Sequence, residues 1–149
     1  MRFLSMLILA FVPLLSTEAL AKSIFDKKIN GVEYICEKRD SSEFCFLKKD
    51  PYWFLLARKR DAQLLINCGE PKDGLCLIMQ SYFGEKKHSL VSMYEVQCKT
   101  NKVSHVLTLI YDKPMMEGKI INKFEKDRSW ISPKPRTPLY DALTIECRE

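Results

Sequence analysis

The sequence predicts an α+β domain, a mostly antiparallel β-sheet with one short C-terminal helix packed on it and disulfides stapling the whole. Three observations carry that reading. Short apolar runs recur after residue 21, each bounded by turn-forming residues, as in a strand meander. Six cysteines, an even set, all fall in the same part of the chain. The segment opened by Thr137 and Pro138 has apolar residues at helical spacing.

The segment 1–21 reads as a cleaved signal peptide. Arg2 supplies the positive start, Phe3 to Leu15 is an apolar core of 13 residues, and Ala19-Leu20-Ala21 is a small-residue cleavage site. Cleavage after Ala21 leaves one expected domain, 22–149, that is periplasmic, secreted or at the cell surface. No cysteine lies in the cleavage region, so the protein is not expected to be a lipoprotein. Apolar residues make up 46% of the chain, yet no run beyond residue 21 is long enough to span a bilayer.

Export and an even cysteine count imply disulfides rather than a redox or zinc site, and the intervals of 8, 22, 7, 21 and 48 residues lack the two-residue gap those sites need. Val32–Cys36 and Phe44–Leu47 read as strands flanking a turn. A hairpin centred between Asp40 and Ser41 sets Cys36 opposite Cys45. Cys68 and Cys76 bracket a loop of turn formers, and elimination leaves Cys98 with Cys147.

The remaining strands follow in order. Trp53–Leu56 is entered through Pro51, and Arg58–Asp61 reads as a charged turn before Ala62–Asn67. Leu75–Phe83 is an apolar run stopped by Gly84, and the polar loop from Glu85 to Ser89 contains His88. Val91–Cys98 alternates, as does Val103–Tyr111 with Val103, His105, Leu107, Leu109 and Tyr111 on one side. Asp112–Gly118 turns the chain and Lys119–Phe124 returns it. Pro133, Pro135 and Pro138 forbid regular pairing between Trp130 and Leu139. In the final helix Leu139, Ala142, Leu143 and Cys147 share the face turned to the sheet.

The second half resembles the surface-adhesin protein E family of Gram-negative envelope proteins. The resemblance is carried by Tyr94-Glu95-Val96-Gln97-Cys98, Tyr111-Asp112, Gly118, Trp130-Ile131-Ser132-Pro133, Leu139-Tyr140 and Cys147, and it spans Lys86 to Cys147. It implies a small antiparallel sheet with a helix packed on it, a disulfide from a central strand to that helix, and a non-enzymatic binding role. The family pattern commonly has aspartate at the position of Gln97 and Gly-Ser in place of Lys134-Pro135-Arg136.

The net charge of +5 is spread evenly along the chain. That pattern argues against a nucleic-acid binder, which gathers its charge on one face. It suits attraction to acidic glycans or a host matrix protein. The densest basic cluster, Arg58-Lys59-Arg60, follows the aromatics Trp53 and Phe54. Trp53, Arg58, Lys59 and Arg60 are therefore the candidate binding residues. Met115-Met116 is a second candidate contact, or else folds back over the sheet edge. No nucleophile elbow, phosphate loop, metal cluster or cofactor motif is present, so no catalytic residue, metal or cofactor is expected. Two alternatives remain. One is a periplasmic inhibitor of a host hydrolase such as lysozyme. The other is a small secreted ribonuclease-like enzyme using His88 and His105 as an acid/base pair, with Lys87 or Lys99 near the phosphate.

Overall fold

A computed structural model describes residues 23–70, 74–126 and 128–148, so the expected signal segment lies outside the described residues. One antiparallel sheet contains β1 (Ser23–Ile29), β2 (Val32–Arg39), β3 (Ser42–Leu47), β4 (Phe54–Lys59), β5 (Ala62–Asn67), β6 (Leu75–Tyr82), β7 (His88–Gln97), β8 (Lys102–Tyr111), β9 (Ile120–Glu125) and β10 (Trp130–Ile131). A turn of 3-10 helix spans Pro114–Met116, and α1 runs Pro138–Glu146. From β1 to β8 each strand pairs with its sequence neighbour, and β9 and β10 share the outer edge of β8.

The structure corrects the strand reading in five places. β1 is an additional strand, and its signal is Asn30-Gly31, with φ of 51° and 79°. Two successive positive φ values suit the tight hairpin turn that Asn-Gly favours. Arg58 and Lys59 end β4 rather than lying in the turn, and His88 begins β7 rather than sitting in a loop. Trp130-Ile131 pairs with Ser104 and Val103, because the first proline comes only at Pro133. Finally, β8 does not keep one side. Met93 pairs with Leu107 while Tyr94 pairs with His105, so Val106 is an extra residue and the side chains beyond it change face.

That bulge matters because the sheet is buried on both faces. On one face, Tyr34, Cys36, Cys45, Leu47, Trp53, Leu65, Met79 and Val91 form a core with Met115. The sheet curls so that β2 meets β5 across it. The Tyr34 hydroxyl donates to Gln63 Oε1, and Gln63 Nε2 donates to the Ile29 carbonyl at 2.9 Å. Burial pushes the Tyr34 hydroxyl well above its ordinary pKa. On the other face, Ile66, Cys68, Cys76, Ile78, Val96 and Val103 meet Ala142 and Leu143 of α1. The helix begins as predicted: the Thr137 hydroxyl accepts from the Tyr140 N–H at 3.3 Å, with Pro138 in the first turn.

Three disulfides tie these layers. Cys36 faces Cys45 in the β2–β3 register and is bonded to it, with Cα atoms 4.1 Å apart. Cys68–Cys76 closes the β5–β6 connection, and Cys98–Cys147 joins the end of β7 to the end of α1. Glu146 is the unexpected member of the helix, fully buried with Oε1 accepting from the Gly74 N–H at 2.6 Å.

Candidate functional site

Trp53 is only 3% exposed, packed in the core beneath β4, so its ring is not available for surface stacking. The register explains why: Leu47 donates its N–H to the Trp53 carbonyl at 2.9 Å, turning the indole toward the curled face. Arg58, Lys59 and Arg60 do lie on the surface. The structure supplies Lys59 with a different aromatic. Tyr82, at the end of β6, pairs with Ala62 on one side and His88 on the other. Its ring stacks on the His88 imidazole with centroids 4.5 Å apart and planes 14° from parallel.

The β4–β5 and β6–β7 turns are locked together beside this stack. The Phe83 N–H donates to the Asp61 carbonyl at 2.8 Å, and a side chain at Gly84 would come within 3.1 Å of the Asp61 carboxylate. A Cβ there would be a tight contact that the exposed Asp61 side chain would have to yield to. Lys59, Asp61, Ala62, Tyr82, Gly84, Lys86 and His88 line an open cleft of about 380 Å³. Of the basic residues in these two segments, Lys59 and Lys86 face one another across the cleft, with Asp61 between them in its lining. An apolar groove of about 250 Å³ adjoins it, sharing Lys59, Ala62 and Tyr82 and floored by Ala57 and Leu64. His88 Nδ1 lies 2.7 Å from the Lys86 carbonyl, which makes Nδ1 the protonated nitrogen. The sequence signal for Tyr82 and His88 was their place on either side of a Gly-containing turn.

His105 stands elsewhere, opposite Tyr94 on β7. Tyr94 lies six positions along β7 from His88, about 20 Å of strand, so the two imidazoles do not form an acid/base pair. His105 Nε2 is 2.7 Å from Thr108 Oγ1, and its Nδ1 has no partner among the described residues. Burial first, then the nearby Lys126 charge, holds its pKa below the ordinary histidine value. Met115 is buried, and Met116 packs partly against the same core. Their N–H groups donate to Ser81 and Ser89 Oγ at 2.9 and 3.0 Å, so this pair folds back over the sheet instead of offering a surface contact. Glu43 and Glu146 lie close to cysteine sulfurs. Those sulfurs are disulfide-bonded, and without thiolate character they are not metal ligands.

The residues behind the family resemblance have structural work of their own. Asp112 closes the β8–β9 connection: its N–H donates to the Lys119 carbonyl at 3.0 Å, and its Oδ1 accepts from the Lys119 N–H at 2.8 Å. Gly118, at φ +80°, leaves the space this needs, since a Cβ there would lie 2.1 Å from Asp112 Oδ1. Tyr94 packs against the helix-covered core, Trp130-Ile131 pairs with β8, and Cys147 receives the disulfide from Cys98.

No curated protein and no solved structure matches this chain. The family description surface-adhesin protein E does match, over residues 58–148. The match begins before the Lys86 boundary read from the sequence and takes in the end of β4, β5 and β6, the strands that carry the cleft. It leaves β1 to β3 outside. With more than half its length matched, from the basic turn to the closing helix, this chain belongs to the surface-adhesin protein E family.

Proposed function

We propose that this chain is an exported, non-enzymatic binding module of the bacterial envelope that holds acidic glycans of the host matrix in the Tyr82–His88 cleft. The observation that carries the reading is the meeting of Lys59, from the end of β4, and Lys86, from the β6–β7 turn, beside a stacked, half-buried Tyr82–His88 pair. Sulfate and carboxylate groups meet Lys59 and Lys86, with the exposed Arg58, Arg60 and Lys87 adding attraction from the surrounding surface, while a sugar face lies along Tyr82 and the Ala57–Leu64 floor. Export rests on the expected signal segment 1–21 and on the three disulfides, which persist in an oxidising compartment. Among the described residues no helix is long and apolar enough to cross a membrane.

Heparin is a suitable probe. Replacing Arg58, Lys59, Arg60 and Lys86 with serine should leave the urea midpoint unchanged, because isolated exposed charges contribute little to stability. It should weaken heparin binding by about tenfold or more at about 50 mM salt, with the difference shrinking toward about 300 mM. Tyr82→Ala should weaken binding at both salt concentrations. Heparin affinity that ignores both changes would remove the cleft from the function.

A further inference from the structure

β9 is exposed along its whole length, with Ile120 at 53%, Ile121 at 61% and Phe124 at 51%. It pairs with β8 on one side, and among the described residues no strand lies along the other. Such an edge presents a row of backbone N–H and C=O groups able to take on another strand. The exposed apolar side chains are not drawn into either core. Between 119 and 126, Lys119, Lys123 and Lys126 face a single carboxylate, Glu125, which pairs with Lys123 inside the strand.

That charge selects the occupant. Two copies of this edge would set lysines against lysines, the usual guard against self-pairing. An acidic strand meets the same lysines favourably. Lys123 pairs with Leu109 and Phe124 with Thr108, so the two side chains leave opposite faces of β9. A segment alternating acidic and apolar residues therefore satisfies both.

We propose that the outer edge of β9 captures an extended acidic segment of a partner protein as an added β-strand, placing a carboxylate beside Lys123 on one face and an apolar side chain beside Phe124 on the other, with Lys119 and Lys126 flanking the strand and adding to the attraction. Backbone pairing supplies much of the affinity, and the alternating faces supply the selectivity. This edge is separate from the Tyr82–His88 cleft, and its occupation does not depend on the cleft binding glycan.

The probe is a capped, labelled peptide of alternating valine and glutamate, about eight residues long. A valine–lysine peptide is the control. Fluorescence anisotropy should show the acidic peptide binding and the basic one not. Amide hydrogen exchange should show new protection at Ile120–Glu125 when the acidic peptide is bound. Lys119→Glu with Lys123→Glu should weaken the acidic peptide about tenfold and create binding of the basic one. It should leave heparin retention unchanged, while the cleft variant should lose heparin and keep the peptide. Four results would each overturn the proposal. They are failure of the acidic peptide to bind, protection appearing at β1 or the cleft instead of β9, affinity unchanged in the double variant, and sedimentation showing β9 already buried in a dimer.

Discussion

Replacing Cys98 and Cys147 together by alanine asks how much stability flows from the bond that holds α1. The bond spans a sequence separation of 49. The chain-entropy relation gives about 14 cal/mol/K for that loop, or about 4 kcal/mol at room temperature. Cys98 is exposed and Cys147 half-buried, so truncation removes little packing and the measured cost reports the cross-link itself. α1 is only nine residues long, too short to persist in water unaided. Its apolar side rests on Cys76, Val96 and Val103. Urea titration followed by tryptophan fluorescence gives the global term, and amide exchange reads the helix separately. The expected result is a loss of about 4 kcal/mol, or about 15 °C in Tm for a domain of this size, with the α1 amides exchanging first. The separation of 9 between Cys36 and Cys45 gives only about 2.5 kcal/mol from the same entropy relation. A cost below about 1 kcal/mol for the Cys98/Cys147 pair, with α1 still protected, would refute the argument that this long loop is the dominant tether.

Other perturbations test local features. Glu146→Ala leaves the Gly74 N–H without its acceptor and should cost about 1–3 kcal/mol in urea, whereas Glu146→Gln keeps an acceptor oxygen and should cost less. Gly118→Ala combines a positive φ with a clash against Asp112 Oδ1; it should lower stability by about 2 kcal/mol or more, and a neutral thermal melt would contradict the β8–β9 closure described above. His105 titrates below its unfolded value, so the unfolded chain takes up its proton first as pH falls. Its contribution to stability is therefore intact above the unfolded pKa of about 6.5 and declines as pH drops from there toward the folded value. Urea midpoints at about pH 7.5 and pH 5.5 should differ more in the parent than in His105→Gln; equal differences would assign the pH dependence to other groups.

Much of the fold was legible because its signals are local. The Asp40-Ser41 hairpin fixed a register that put two cysteines face to face, and Thr137-Pro138 announced the helix start. What escaped depended on tertiary context. No pattern in Val103–Tyr111 marks Val106 as a bulge, since the extra residue is imposed by pairing with Met93 and Tyr94 on β7. Glu146 reads as a surface charge until the Gly74 loop folds over it. The candidate site was half legible: Arg58-Lys59-Arg60 stands out as composition. The aromatic nearest in sequence is Trp53, whereas the neighbour in space is Tyr82, through the β5–β6 pairing. Sequence proximity favours the wrong ring because a strand turns successive side chains to opposite faces.

The disulfide pattern bears on how such a chain matures. Cys36 bonds Cys45, Cys68 bonds Cys76, and Cys98 bonds Cys147, so each bond joins two cysteines that are consecutive along the chain. A polypeptide delivered N-terminus first into an oxidising space presents its thiols in that same order. An oxidant acting on each newly arrived pair then writes the native connectivity directly, and thiol–disulfide reshuffling is not required to reach it. The first two bonds form across short hairpins during delivery. In such a delivery the third would wait for Cys147, so the helix would be captured only after the strands of the sheet had arrived.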